Sequence, residues 1–220
     1  MINTRHIIFF DMETGGLNPL RCQPLEIAAV CIDPRKLEVI PNSTFHSKIK
    51  PLSDEMAIAA ELDIVEKTAL AVNHITLEEL QECPNEGDVW SSFCDYIYQW
   101  NPKKSDWDAP LGAGFNINNF DMKIVNRLCE WYGPWNKKKG QQKLFNPIQT
   151  VDLRDIMWLI NENNPEIEGN SMDAIRDYLD MPKGLAHTAL GDVTQGAELL
   201  CRCMKLIRYW SSRTNFKSKW

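Results

Sequence analysis

Ile7-Ile8-Phe9-Phe10-Asp11-Met12-Glu13-Thr14-Gly15-Gly16 is the stretch on which the reading of the fold turns. Four successive apolar residues, Ile7 to Phe10, have no polar face to turn to water. Such a run belongs to a strand covered on both sides in the middle of a sheet. The polar, glycine-containing residues from Asp11 to Gly16 read as the turn that ends it. Asp11 and Glu13 stand two apart at that end, so in extended chain their carboxylates project to the same side. Open α/β sheets carry their sites at the C-terminal ends of such strands. Two carboxylates this close resist joint ionisation unless a cation lies between them. Hard oxygen donors favour Mg²⁺ or Mn²⁺ over zinc. By itself, an Asp-x-Glu before a turn is a common pattern.

Outward from this strand, Leu25 to Ile32 reads as a second strand, and Phe45 to Ile49 alternates as a third, ended by Pro51. A helical region is expected over Glu55 to Ala71, and another from Thr76, where Thr76-Leu77-Glu78-Glu79 has the capping-box pattern. Trp90 to Trp100 has helical apolar spacing, and Leu111 to Phe115 is a small-residue strand. Ile117, Phe120, Ile124, Leu128 and Trp131 recur at steps of three and four as in an amphipathic helix, which Gly133-Pro134 stops. A further strand falls near Ile148 to Val151, and two helices flank a loop from Glu162 to Gly169. The last helix carries Val193, Ala197, Leu200, Met204 and Ile207. Strands first, then strand–helix alternation, give an α/β class with a sheet of mixed direction. With no repeat or low-complexity segment, residues 1–220 read as a single domain.

The 220 residues are 44% hydrophobic and 25% charged, an ordinary globular composition. No apolar run nears the ~18 residues of a membrane span, and Ile7–Phe10 is too short for a signal-peptide core. A cytoplasmic protein is expected. Seven cysteines, an odd number with no C-x-x-C pair, read as reduced and mostly buried thiols. A net charge of −6 argues against a protein that coats nucleic acid, but not against an enzyme whose acids hold metal. Two local basic runs stand against it: Arg202, Lys205, Arg208, Arg213, Lys217 and Lys219, and Lys137, Lys138, Lys139 and Lys143. Each is a candidate phosphate contact, and each reads equally as a solvated helix end or loop.

Three further residues carry chemistry. Asp121 falls in the first turn of the helix after the Leu111–Phe115 strand, where an acid also simply complements the helix dipole. Asn116 is read there as a possible cap. His187 and Asp192 open the last helix, the histidine on the entering loop and the acid in the first turns. With an unperturbed pKa near ~6.5, a histidine beside an activated water suits proton abstraction.

Taken in order, these pieces resemble the DEDDh (DnaQ-like) 3′–5′ exonucleases of the RNase H-like superfamily. Asp11-Met12-Glu13-Thr14-Gly15-Gly16-Leu17 matches the first motif of that family. Asn116-Ile117-Asn118-Asn119-Phe120-Asp121 matches the second, and His187 through Asp192 the third. Ala71 to Thr76, Val151-Asp152-Leu153 and Ser171 to Ile175 fit its intervening elements. Phe115 stands where the family usually has histidine, and Trp135 to Pro147 is longer than a minimal member needs.

The resemblance implies an RNase H-like fold with a five-stranded mixed sheet flanked by helices. It also implies hydrolysis at a nucleic acid 3′ end, single-stranded, releasing nucleoside 5′-monophosphates. Two divalent ions, Mg²⁺ or Mn²⁺, would lie ~3.5–4 Å apart. Asp11 would bridge them, Glu13 and Asp192 complete one site, and Asp121 support the other. His187 would be the general base, and Asp11, Glu13, Asp121, His187 and Asp192 the catalytic set. Thr14, Leu17, His74 and Asn116 would contact substrate. DNA is preferred as substrate. The rival readings are an RNA-trimming exoribonuclease and a catalytically silent module of a replication complex. Gln141-Gln142-Lys143-Leu144-Phe145 loosely resembles a sliding-clamp-binding peptide, the one hint of replication partners. Trp131 and Trp158 are assigned to the core.

Overall fold

A computed structural model describes residues 4–182 and 188–214. The first strand, β1, runs Ile7–Thr14 and pairs antiparallel with β2, Pro24–Asp33. Along the far edge of β2 lie two short strands end to end, β3 (Glu38–Val39) and β4 (Phe45–Lys48), both antiparallel to it. On the other side β1 pairs parallel with β5, Leu111–Gly114, and β5 pairs parallel with β8, Thr150–Asp152. The sheet is therefore mixed, as expected, but has six strands rather than five, the addition being the two-residue β3. A separate ribbon, β6 (Trp135–Asn136) with β7 (Gln141–Gln142), forms in the long stretch after Gly133.

Helices cover both faces. Ile8, Phe10 and Met12 point into one apolar cluster with α4 (Glu86–Tyr98) and α5 (Asp121–Tyr132). Ile7 and Phe9 point into the other with α6 (Leu153–Asn161), α7 (Met172–Tyr178) and α8 (Ala189–Arg213). Ile7 to Phe10 are almost completely buried, which is why the strand needs apolar residues at each of these positions. α8 crosses β1 with Gly196 against the Phe9 ring, where an added Cβ would lie 2.6 Å from Cε1. Only glycine lets the helix come this close.

The structure corrects several expectations. β1 does not stop at Phe10: it stays paired with β2 through Glu13, opposite Glu26. The helix expected over Glu55–Ala71 is two short ones, α1 (Asp54–Ala59) and α2 (Lys67–Val72), and α3 after Thr76 is only Leu77–Leu80. Between α1 and α2 the helix is interrupted by a turn at Glu61, and two N–H groups beyond it are used elsewhere. Asp63 donates to the Arg21 carbonyl and Glu66 to that of Gly15, both within 2.9 Å. Trp131 and Trp158 are about half exposed, at 44% and 55%, so neither is a core residue. Leu144 and Phe145 are fully buried, with Phe145 stacked on Phe10, and cannot serve as an exposed clamp-binding peptide. All seven cysteines are free thiols, and six of them are buried. Among the described residues no helix is long and apolar enough to cross a membrane.

Candidate active site

The alternation along β1 decides where the two carboxylates go. Asp11 and Glu13 continue the series begun by Ile7 and Phe9, so they point to the face covered by α8. There the first turn of α8 brings up Asp192. Thr188 caps that turn, its hydroxyl accepting from Gly191 N–H (3.1 Å) and its carbonyl from Asp192 N–H (2.9 Å). Ligand atoms of Asp11, Glu13 and Asp192 all lie within 4.8 Å of one another. Asp121 arrives from the other layer. It is buried at the start of α5, and its Oδ1 accepts the Met12 N–H at 3.1 Å, between the two β1 acids. Asp11 and Asp121 share the wall of an open cleft of about 400 Å³ with Phe115, Asn116, Phe120 and Arg154.

Crowding and burial penalise the charged forms. Burial, then the charges of Asp121, Glu13 and Asp192, push the Asp11 carboxyl well above the ordinary range. Burial and the neighbouring Asp192 and Glu26 raise Glu13 to about 7, with Arg176 opposing. Asp121 rises to about 8, chiefly through burial, with Glu13 and Asp152 adding and the Met12 N–H opposing. Closely spaced, reluctantly ionised oxygen donors suit a hard divalent cation, which would relieve the repulsion that raises these values. The donor set fits such an ion.

The other expected residues fall around this cluster. Thr14 is buried, its hydroxyl donating to the Gly16 carbonyl and its own carbonyl accepting from Asn73 Nδ2 at 3.0 Å. That bond brings His74, the next residue, to the end of β1; His74 is exposed and has positive φ, 54°. Leu17 is 87% exposed beyond the same strand end. Asn116 also has positive φ (58°) and is fixed by its N–H to Asp152 Oδ1 and by Arg154 Nη1 on its Oδ1. His187 lies outside the described residues.

Four residues that had no assigned role surround the cluster. Glu26 is buried across from Glu13, with His46 on its carboxylate. A lone acid inside the apolar run from Leu25 to Ile32 was the available signal. Asp152 receives the N–H groups of Asn116, Asn118 and Arg154 and so shapes the loop before Asp121. Arg154 lies in the cleft wall, and Arg176 is buried behind Asp192. Of the basic C-terminal run, Arg208 is tied to the carbonyls of Pro34 and Arg35 and Lys205 approaches Glu38, so part of it fastens α8 to the sheet edge.

The RNase T exonuclease family model matches residues 8–200, the great majority of the chain. The chain belongs to the exonuclease family. No curated protein matches it by sequence. Among solved structures, this exonuclease-family chain resembles Escherichia coli exonuclease I bound to a dA16 oligonucleotide. The TM-score is 0.67 at 19% identity, over 96% of this chain and 44% of that one. Exonuclease I of Methylocaldum szegediense gives 0.65 at 20% identity, over 92% and 40%. Cell-death related nuclease 4 gives 0.65 at 15%, over 91% and 64%. At these identities the likeness is one of fold, the RNase H-like exonuclease fold. The chain spans less than half of the two exonuclease I chains and under two thirds of the third.

Proposed function

We propose that this chain is a DEDDh-type, metal-dependent 3′–5′ exonuclease that acts on single-stranded nucleic acid, DNA in preference, and releases nucleoside 5′-monophosphates. The observation that carries the proposal is the convergence of Asp11, Glu13 and Asp192 within 4.8 Å, with Asp121 anchored between the first two. Asp11, Glu13 and Asp192 would hold one divalent cation, Mg²⁺ or Mn²⁺, and Asp11 with Asp121 a second. Such ions, when bound, lower the pKa of water and offset charge on the attacking and leaving oxygens.

The protein's own residues do the rest. Asp121 is held by the Met12 N–H, so its carboxylate has one orientation before substrate arrives. Arg154, a cation in a wall otherwise shared with two acids, is placed to meet a backbone phosphate. The exposed Leu17 and His74 flank the end of β1, where a terminal base would pack and Thr14 backbone would meet the 3′ hydroxyl. His187, five residues before Asp192 in sequence, is the proposed general base. The retention of all four carboxylates argues against a catalytically silent module. The oligonucleotide held by E. coli exonuclease I supports single-stranded DNA as substrate.

The test uses the same single strand, as DNA and as RNA, labelled at its 3′ or 5′ end. Wild-type protein with Mg²⁺ or Mn²⁺ should release mononucleotides from the 3′ end first and digest the DNA faster. Asp11→Asn should abolish digestion while keeping the far-ultraviolet circular dichroism. Full activity in that variant sinks the site assignment, and faster digestion of RNA reverses the substrate preference.

A further inference from the structure

Arg176 is a long, charged side chain that is only 2% exposed, in a short helix that otherwise contributes only Ile175 to the buried set. A buried guanidinium is costly unless its donors are met in good geometry. Here all three nitrogens are engaged. Nη1 donates to Asp173 Oδ1 at 3.0 Å, one turn back on α7. Nε donates to Gln195 Oε1 at 2.9 Å, on α8. Nη2 donates to Oδ1 of Asp192, again on α8. Gln195 extends the connection, since its amide donates to the Pro182 carbonyl at the exit from α7. One planar fork therefore spans two helices, and one of its three tines ends on a carboxylate of the candidate metal cluster.

We propose that Arg176 is a positioning residue for the metal site: it sets the orientation of the Asp192 carboxylate beside Asp11 and Glu13 and places a fixed positive charge behind it. This rests on the reading of Asp192 as a metal ligand. A carboxylate on the first turn of a helix has several rotamers open to it, and a charge-assisted hydrogen bond to a rigid, buried donor selects one. Asp173 and Gln195 hold the guanidinium from either side, so the donor itself has little freedom to follow a moving carboxylate. Lysine keeps the charge but presents a single point of attachment and cannot reproduce the fork.

The test is Mn²⁺ binding by calorimetry, without substrate, on wild type, Arg176→Lys, Asp192→Asn and the double variant. Thermal melting of each is followed without metal. Loss of a partner that orients a ligand weakens metal binding by about 10- to 100-fold. That loss is expected for Arg176→Lys, and it should vanish in the Asp192→Asn background, because both changes act through one carboxylate. Arg176→Gln, neutral and of similar length, is read in the same way should the lysine variant not fold. If Asp192→Asn loses Mn²⁺ while Arg176→Lys binds like wild type, the inference fails and the metal site stands. Additive losses overturn it as well, since Arg176 would then act elsewhere. Wild-type binding by Asp192→Asn overturns the metal-site reading and this inference with it. If neither Arg176 variant folds, the residue is a folding element and the positioning role is wrong.

Discussion

Met12 donates its backbone N–H to Asp121 Oδ1 across 109 residues of chain, and this single bond seats a helix-borne acid between two strand-borne ones. The acid is buried, and its charged form is disfavoured without a cation. Asp121→Asn keeps an acceptor for Met12 and removes the charge. Its metal-free melting temperature should match or exceed that of wild type. Asp121→Ala leaves the N–H unmet and should be less stable than the asparagine variant by about 1–3 kcal/mol. Both should lose activity by about 100-fold or more, since ligand-held metal supplies several kcal/mol of transition-state stabilisation. Melting curves and 3′-end digestion of the pair check this. An alanine variant as stable as the asparagine one would remove the role given to the bond.

The same crowding predicts an unusual pH dependence. Asp11, Glu13 and Asp121 all have folded-state values above the ordinary ones, Glu13 at about 7 and Asp121 at about 8. The neutral carboxyls are thus favoured by folding. Their contribution to stability is fully present below the unfolded values near ~4 and is lost as pH rises through about 7 to 8. Asp192 and Glu26 face the cluster and add to the repulsion, while Arg176 opposes it at Glu13. Metal-free protein should therefore melt at lower temperature at pH 8 than at pH 5.5. Mn²⁺ should raise the melting temperature far more at pH 8, where fewer protons have to leave than at pH 5.5. Calorimetric scans at the two pH values, with and without Mn²⁺, decide it; a metal-free protein more stable at pH 8 would refute the coupling.

Arg154 offers a separate measurement. Its guanidinium is exposed, donates to Asn116 Oδ1 at 3.0 Å, and lines the cleft that holds Asp11 and Asp121. A phosphate contact contributes to affinity and to salt dependence rather than to the chemical step. Arg154→Met should raise KM several-fold, leave kcat within about twofold, and flatten the dependence of log KM on log salt by roughly one unit or slightly less. An unchanged salt slope would show that the residue only braces the Asn116 loop.

How much of this was legible in the residues depended on the range of the interactions involved. Asp11 and Glu13 could be placed on one side because strand alternation is local, and the strand's extension to Thr14 only strengthened that placement. The break between α1 and α2 could not be read, because the groups that take its N–H donors, on Arg21 and Gly15, lie more than 40 residues away. Trp131 has helical spacing with Ile124 and Leu128, but spacing does not say what covers a residue, and both Trp131 and Trp158 are about half exposed. Arg176 was invisible for the same reason. A cation in a helix reads as solvated until partners 16 and 19 residues away are known to bury it. Glu26 was the opposite case, a charge in an apolar run that local reasoning could have flagged.

Asp192 owes its place to the seating of α8, and that seating turns on Gly196. The Phe9 ring fills the space where a side chain at 196 would begin, and Phe9 stands two residues before Asp11 on the same face of β1. Gly196→Ala has two opposing effects. Alanine favours the helix by roughly 0.8–1 kcal/mol, whereas overpacking a rigid core costs about 1–3 kcal/mol. The overlap is with a ring wedged among strand and helix atoms, so the second effect should win. The variant should be less stable, and its α8 should be pushed off β1, carrying Asp192 away from Asp11 and Glu13. Mn²⁺ affinity should then fall along with the melting temperature. Phe9→Leu opens room at that contact and by itself should cost stability through a cavity. In the double variant the new methyl enters that room, so stability and Mn²⁺ affinity should both exceed the values expected if the single effects added. Additive losses in the double variant would mean that α8 is positioned by contacts other than the one between Gly196 and Phe9.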